Sequence, residues 1–343
     1  MEQATPIVGL VLSGGGAKGA YQVGALQYLA EIGFEPQMIA GTSIGALNGA
    51  VLSSHQPFKL AVERLSDLWD RLSYERIIRA SPTTVVRSIT RVAGAVVPTI
   101  KVVRQWLMAF LAEQGFLEKP EALFDPEPME RLIREAVDRN GLEEGVELWV
   151  AVFPALKIPG FDYDWVVDFA RAATGVQAHW LRAQDFASDP DVLYSVLLAS
   201  AAIPLAFPKR EVDGQSYVDG GLADNAPLGA LVERGCTHAI VIHLSNGAVW
   251  DRHSFPIQVI EIRPQDQILK TEVPVIGTLS TLLDFSFERI TDLKQRGYED
   301  ARKILASIME TLVTVSEQRR SHDLLVESTN RLIGNDLTDA DSF

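Results

Sequence analysis

Short apolar runs alternate with longer segments of helical periodicity along most of the chain. Apolar runs of about four to eight residues, bounded by glycine, proline or polar residues, are typical of strands inside a sheet. We predict a hairpin within Trp149–Phe169, and a helix after Asp125-Pro126, which is an N-cap followed by a first-turn proline. Strands are predicted at Ile7–Leu12, Met38–Ala40, Glu147–Phe153, Trp165–Phe169, Ala239–Leu244 and Gln258–Ile262. This alternation predicts an α/β fold with a mostly parallel central sheet.

The same pattern divides the 343 residues into two parts. After about Leu279 the pattern is helical to roughly Arg320, and the chain ends in the acidic tail NDLTDADSF. We therefore predict a main domain over residues 1–310, with a helical cap or lid inserted at about 76–120. Residues 311–343 are predicted to form a C-terminal helical extension and an acidic tail.

Composition narrows the class of protein. The formal net charge of −14 argues against general nucleic-acid binding, which requires a basic face. The single cysteine, Cys236, excludes a disulfide framework and a multi-cysteine metal site. The first residues lack the basic segment of a secretory signal, and the longest uncharged run, Val192 to Pro208, contains Pro204. We interpret that run as a buried helix ending near Ala202, and we expect a cytoplasmic protein.

One segment of this acidic chain is purely basic. Between Arg76 and Ala112 there are six basic residues and no acidic one. Apolar residues at helical spacing lie beside these cations, which is the pattern of a helix on an anionic bilayer. An amphipathic helix packed on the protein's own core would show the same pattern, so both interpretations stay open. The candidates for contact with the inner membrane face are Arg87, Arg91, Lys101, Arg104 and Trp106.

A glycine-rich loop follows the first predicted strand. Gly14, Gly16 and Gly19 match G-x-G-x-x-G, the phosphate-binding fingerprint of dinucleotide-binding proteins. Such a site also needs an acidic residue at the end of the second strand, whereas Glu35 precedes that strand. The P-loop pattern fails as well, because Lys18 is followed by glycine. A nucleotide-binding oxidoreductase therefore remains only as a competing hypothesis.

The second predicted strand leads into GTSIG, residues 41–45, and a helix follows. This is the G-x-S-x-G elbow, in which a sharp turn projects the hydroxyl of Ser43 out of the sheet at a helix N-terminus. A serine that attacks an ester needs backbone donors for the oxyanion that forms. Gly14, Gly15 and Gly16 can supply these donors from the end of the neighbouring strand, and Lys18 adds positive charge there.

Two residues compete as the base that activates Ser43. His243 ends the run HAIVIHL, and the order Ser43, Asp219, His243 is that of an α/β-hydrolase triad. The early position of the elbow in the chain argues against that triad. Asp219 precedes two glycines in SYVDGGLADNAP, which expose its carboxylate, although a simple turn would have the same sequence.

The combination of GGGAKG, GTSIG and DGG resembles the patatin-like phospholipase family. The similarity extends to LFDPEPMERLI, ASAAIPLAFP and Asn225-x-Pro227, and covers roughly residues 7–300. It implies a three-layer α/β sandwich with helices on both faces of the sheet. It also implies a dyad without histidine, in which Ser43 is the nucleophile and Asp219 is the base. The oxyanion hole implied by the resemblance consists of Gly14, Gly15, Gly16 and the Ile44 amide.

This resemblance implies hydrolysis of carboxylic esters of acyl lipids, of the phospholipase A or lysophospholipase type. An aspartate with the usual pKa of about 3.9 is a poor base for serine, so we expect burial to raise that pKa. The glycine loop takes the electrophilic role, so no metal or cofactor is expected. The expected substrate is a phospholipid or another acyl-ester lipid. A non-catalytic membrane-binding or regulatory protein on the same fold is the alternative from another class.

Overall fold

The computed structural model describes residues 6–74, 127–156, 164–202, 208–247, 250–266, 268 and 284–308. Within these ranges one sheet is formed by β1 (Val8–Leu12), β2 (Met38–Thr42), β3 (Glu147–Pro154), β4 (His179–Arg182), β5 (Arg210–Val212), β6 (Gln215–Asp219), β7 (His238–Ile242) and β8 (Gln258–Ile262). The described helices are α1 (Gly19–Glu31), α2 (Ile44–Ser53), α3 (Phe58–Leu72), α4 (Glu127–Ala136), α5 (Arg139–Glu144), α6 (Asp164–Ala173), α7 (Pro190–Ser200), α8 (Leu228–Val232) and α9 (287–308).

The sheet has a parallel part and an antiparallel part that meet at β3. The strand order is β5-β6-β3-β2-β1-β7-β8, and β4 also pairs with β3. The strands β3, β2, β1, β7 and β8 are parallel, whereas β4, β5 and β6 pair antiparallel. The prediction of a mostly parallel sheet is confirmed. Thr42 pairs with Ala151 and Asp219 pairs with Val152, so the ends of β2 and β6 lie on either side of the end of β3.

Helices cover both faces of this sheet. On one face, Gly49 of α2 lies against Ile39 and Leu148. On the other face, Leu228 of α8 shares a buried apolar cluster with Ala40. Since successive residues of a strand point to opposite faces, Ile39 and Ala40 mark two different layers. The predicted α/β sandwich is therefore confirmed.

One predicted strand is wrong, because Trp165–Phe169 lies within helix α6. The Trp-Val-Val run favours a strand locally, but the helix formers of ARAA follow it. Helical spacing also places Arg171 3.6 Å from the buried carboxylate of Asp168. Lys209, just before β5, lies 2.7 Å from the same carboxylate and ties α6 to the sheet. The predicted hairpin is wrong for the same reason, and β4 is the strand that pairs antiparallel with β3 along Trp149–Val152.

Residues 192–200 of the long uncharged run lie in α7, and this part of the run forms a buried helix as predicted. Leu193, Val196 and Leu197 have no exposed surface. The helix begins after Asp189, whose carboxylate accepts hydrogen bonds from the amides of residues 191 and 192. Among the described residues, no helix is both long enough and apolar enough to cross a membrane.

The chain divides into two compact units, Met1–Asp300 and Ala301–Phe343. Of the second unit the structure describes residues 301–308, which are helical. The predicted cap or lid at 76–120 and the extension over 311–343 lie outside the described residues. The predicted division of the chain into 1–310 and 311–343 therefore stays a prediction.

Candidate active site

Ser43 occupies the sharp turn between β2 and α2. Its backbone angles, φ 55° and ψ −126°, are those of the first central residue of a type II′ turn and strain a residue that has a Cβ. The glycines on either side make the turn possible. A Cβ on Gly45 would overlap the carbonyl of Leu12, and one on Gly41 would overlap the backbone of Gly45. Helix α2 therefore begins directly after Ser43, which is buried.

Ser200 of α7 holds the strained backbone of Ser43 in place. The Ser43 N–H donates to Ser200 Oγ at 2.8 Å, and the Ser200 hydroxyl donates to the Ala151 carbonyl of β3 at 2.6 Å. Both serines are buried, so losing this bridge would leave the Ser43 amide without its acceptor in a place shielded from water. Sequence reasoning assigned Ser200 no role, although the ASAAIPLAFP motif contains it and was the available signal.

Asp219 ends β6 on the other side of β3 and is almost fully buried. Its Oδ1 accepts a hydrogen bond from the Gly221 amide at 2.8 Å. Burial raises the pKa of Asp219 to about 7, against the opposing effects of that amide and of the Ser43 hydroxyl. The second oxygen, Oδ2, accepts no hydrogen bond of ordinary geometry from any residue in the described ranges. The Ser43 hydroxyl is thus close enough to lower the pKa of the carboxyl group, although its contact with Asp219 is looser than an ideal hydrogen bond.

The glycine loop lies directly beside Ser43. A Cβ on Gly14 would come within 3.1 Å of the Ser43 Cβ, so glycine allows the close approach. The Gly14 amide donates to the Asn225 carbonyl at 3.2 Å and is therefore not available to a ligand. In the part of the chain that the structure describes, the amides of Gly15, Gly16 and Ile44 have no acceptor. Of the four predicted oxyanion donors, the Gly14 amide is thus engaged within the protein, and Gly14 contributes space instead.

The loop after Asp219 connects the other two motifs. The Thr42 hydroxyl donates to the Asp224 carbonyl at 2.9 Å, next to the elbow. The following residue, Asn225, accepts the bond from Gly14. The Asp224 carboxylate is itself held by Trp180 Nε1 at 2.9 Å. The GGGAKG, GTSIG and DGG motifs therefore form one site.

His243 lies at the end of β7, and β1 separates it from the elbow strand. Its Nε2 is 3.2 Å from Glu261 Oε2, and its ring packs edge-on against Trp250. Burial, together with the Arg263 guanidinium, lowers the pKa of His243 to about 3, so the ring is neutral. Neighbouring strands lie about 4.8 Å apart, which puts the ends of β7 and β2 about 10 Å apart. The structure brings His243 to Glu261 on the far strand and not to Ser43.

Lys18 is buried at the end of the glycine loop, and its Cε would lie 3.1 Å from a Cβ on Gly15. The described residues contain no cluster of three or more side chains suited to a metal ion. The five candidates for membrane contact lie outside the described residues: Arg87, Arg91, Lys101, Arg104 and Trp106.

A sequence model of the patatin-like phospholipase family matches residues 10–232. This match spans more than half of the chain and includes the glycine loop, the elbow and the Asp219 loop. The chain therefore belongs to the patatin-like phospholipase family.

Particular members of the family share parts of the chain. It is 25% identical over 241 residues to the neuropathy target esterase sws of Drosophila melanogaster, which is 70% of this chain and 13% of that protein. It is 59% identical over 44 residues to lysophospholipase nte1 of Aspergillus terreus, which is 13% of this chain and 3% of that protein. This chain thus spans only a small part of the length of these relatives.

Solved structures show more distant similarity. VipD from Legionella pneumophila is 16% identical, with a TM-score of 0.43, over 89% of this chain and 67% of that chain. Human GIVD cytosolic phospholipase A2 is 12% identical, with a TM-score of 0.37, over 89% of this chain and 59% of that chain.

Proposed function

We propose that this protein hydrolyses carboxylic esters of acyl lipids, with Ser43 as the nucleophile and Asp219 as its base. One observation carries the proposal. A buried serine in a strained turn shares a site with a buried carboxylate whose pKa is raised to about 7. Membership in the patatin-like phospholipase family supports a lipid ester as the substrate. The names of the two relatives, an esterase and a lysophospholipase, agree with this chemistry.

In the proposed acylation step, Ser43 Oγ attacks the acyl carbonyl carbon while its proton passes to Asp219. Oδ2 suits this role, because Oδ1 already accepts a bond from Gly221, whereas Oδ2 accepts no hydrogen bond of ordinary geometry from the described residues. A general base is most effective when its pKa lies near the working pH, and burial brings the pKa of Asp219 into that range. When the tetrahedral intermediate collapses, the protonated Asp219 gives its proton to the departing alcohol. An acyl ester on Ser43 remains.

In the proposed second step, the same carboxylate takes a proton from water, and the resulting hydroxide attacks the acyl ester. The fatty acid leaves, and the proton returns to Ser43 Oγ. An alcohol is a better leaving group than an amine, which suits a dyad with a weak base. We therefore propose a phospholipid or lysophospholipid ester as the substrate.

Negative charge develops on the carbonyl oxygen in both steps. The amides of Gly15, Gly16 and Ile44 are the proposed donors to that oxygen. The N-terminus of α2 adds the positive end of its helix dipole beside Ser43, and Lys18 adds a positive charge. These groups supply the electrophilic role, so the proposed mechanism requires no metal ion.

The direct test is release of free fatty acid by the purified protein. We expect release from phosphatidylcholine or lysophosphatidylcholine, at the same rate in excess EDTA as without it. Inhibition by EDTA with recovery in calcium would contradict the metal-free mechanism. Vesicle binding without release from any acyl ester would favour the non-catalytic alternative, and saturable binding of a dinucleotide would favour the oxidoreductase.

We also propose that the protein is cytoplasmic and contacts the inner membrane face through its basic segment. With a net charge of −14 the whole protein is repelled by anionic lipid, so attraction requires a local patch. Each basic residue near an anionic surface contributes about 1 kcal/mol, within a Debye length of about 10 Å at 0.1 M salt. The residues proposed for this contact are Arg87, Arg91, Lys101, Arg104 and Trp106.

Liposome flotation tests this contact. The wild-type protein should float with phosphatidylglycerol vesicles at low salt and much less at about 0.5 M salt. Changing the four basic candidates to glutamine should abolish flotation and slow hydrolysis of vesicle lipid, while hydrolysis of a short soluble ester is largely unchanged. The matched control changes four exposed basic residues elsewhere to glutamine: Lys59, Arg64, Arg139 and Arg252. Equal flotation of the two quadruple variants would contradict the proposal.

A further inference from the structure

A chain of hydrogen bonds runs through the core from α3 to the glycine loop. Trp69 Nε1 of α3 donates to Asn48 Oδ1 of α2 at 2.9 Å. Asn48 Nδ2 donates to Gln22 Oε1 of α1 at 2.8 Å. Gln22 Nε2 then donates to the carbonyl of Ser13 at 2.8 Å. All four residues are at most 2% exposed, so this chain is shielded from water.

The chemistry of its two ends fixes the direction of the whole chain. An indole N–H can only donate, and a backbone carbonyl can only accept. The donor at Trp69 requires the oxygen of Asn48 to face it, which turns the Asn48 NH2 toward Gln22. Gln22 must then present its own oxygen to Asn48 and its NH2 to Ser13. A single orientation of the two amides satisfies every group.

The chain ends on the peptide group that begins the glycine loop. Ser13 contributes the carbonyl of that peptide and Gly14 contributes its amide. Gln22 binds the carbonyl from one side, and the amide donates to Asn225 at 3.2 Å on the other. Both polar ends of this peptide are thus engaged, which fixes its plane. The next two amides along the loop are those of Gly15 and Gly16, the proposed oxyanion donors.

We propose that Trp69, Asn48 and Gln22 are positioning residues that set the direction of the oxyanion donors; this inference rests on the proposed function. Apolar side chains of similar size could fill these core positions without requiring partners. The amides of Asn48 and Gln22 instead fix the direction of each hydrogen bond between the rigid Trp69 indole and the Ser13–Gly14 peptide. Preorganised donors stabilise the transition state more than the bound substrate, so a disturbed loop should reduce kcat rather than raise KM.

Two near-isosteric variants test the chain. Gln22→Met removes the donor to Ser13, and Asn48→Leu removes the group that orients Gln22. Removal of one oxyanion donor typically costs about 10²–10³-fold in kcat, so misdirected donors should cost about 10–100-fold, with KM within about twofold. The double variant should be no slower than Gln22→Met alone, because both changes act through the same contact. Additive losses would contradict a single connected chain.

A thionoester substrate separates oxyanion positioning from general loosening of the core. Its sulfur replaces the carbonyl oxygen and accepts hydrogen bonds weakly, so it gains little from well-directed donors. The wild-type enzyme should hydrolyse the oxo ester faster than the thiono ester. In both variants this ratio of rates should be lower, by about the same factor as kcat. The control is Leu26→Met, a volume-conserving change one turn further along the buried face of α1, which should alter neither quantity.

Rates are counted per competent site by end-point titration with a fluorophosphonate, so partial unfolding of a variant does not mimic a slower kcat. If Gln22→Met and Leu26→Met have the same kcat and the same oxo-to-thiono preference, the positioning role is wrong. That outcome leaves the proposed function intact. A wild-type protein without Ser43-dependent ester hydrolysis would instead remove the proposed function itself.

Discussion

We expect the Ser43→Ala variant to hydrolyse acyl esters at least about 10⁴-fold more slowly than the wild-type protein, because the variant lacks the hydroxyl proposed to form the acyl intermediate. A fluorophosphonate probe should label the wild-type protein at Ser43 and leave the variant unlabelled. Ser54→Ala is the matched control. Ser54 is a buried serine at the other end of α2, where its hydroxyl donates to the Val51 carbonyl, and its removal should leave labelling unchanged.

The strained backbone at this position gives a second measurement on the same residue. Alanine keeps a Cβ at φ 55°, whereas glycine tolerates that conformation. Ser43→Gly should therefore be more stable than Ser43→Ala by about 1 kcal/mol in the free energy of unfolding. Both variants lack the hydroxyl, so both should be inactive. Labelling that persists in either variant and maps to another serine would contradict the assignment of the nucleophile.

The Asp219→Asn variant is expected to lose about 10³-fold or more in kcat/KM, because asparagine cannot take the proton of Ser43. The wild-type rate should rise with pH through an apparent pKa near 7, the value to which burial raises the pKa of this carboxyl. The residual rate of the variant should lack that rise. Asp300→Asn is the control, since it removes another buried carboxylate, one that accepts a hydrogen bond from the Tyr21 hydroxyl.

The same substitution should increase stability at neutral and alkaline pH. The folded protein keeps a proton on Asp219 up to about pH 7, whereas the unfolded chain loses it near pH 4. The free energy of unfolding of the wild-type protein therefore falls as the pH rises from about 4 to about 7. Asparagine does not titrate, so the variant does not lose stability in this way. At pH 8 its free energy of unfolding should exceed that of the wild-type protein by up to about 4 kcal/mol. Thermal unfolding of both proteins at pH 4.5 and pH 8 measures this difference in stability. A wild-type rate that rises near pH 4, or equal stability of the two proteins at pH 8, would contradict the raised pKa.

The elements that the sequence could predict are those whose signal is local. The turn at Ser43 is specified by glycines two positions away on either side, and the sharp turn after Asp219 by the two glycines that follow it. Both signals lie within a few residues of the feature they specify. The predicted strand at Trp165–Phe169 failed because its β propensity competes with contacts from Lys209, which is remote in sequence.

Residues that support the site from a distance carry no comparable local signal. Ser200 accepts a hydrogen bond from the Ser43 amide, although helix α7 comes much later in the chain. Gln22 donates to the Ser13 carbonyl from inside the buried core. The sequence does not show whether a buried glutamine or serine supports a loop or only satisfies its own hydrogen-bonding groups. The sequence does not predict the hydrogen bond from Gly14 to Asn225 either, since that bond joins two backbone groups.

The position of β3 between the two candidate catalytic residues has a consequence for folding. Ser43 follows a strand that pairs with one edge of β3, and Asp219 ends a strand that pairs with the other edge. The proposed dyad can therefore form only after two chain segments remote in sequence have both closed onto β3. Contacts of large sequence separation form slowly, because loop closure costs entropy before the contact repays it. During refolding, the local elbow turn can form early, and the ability to cleave an ester should be among the last properties to return.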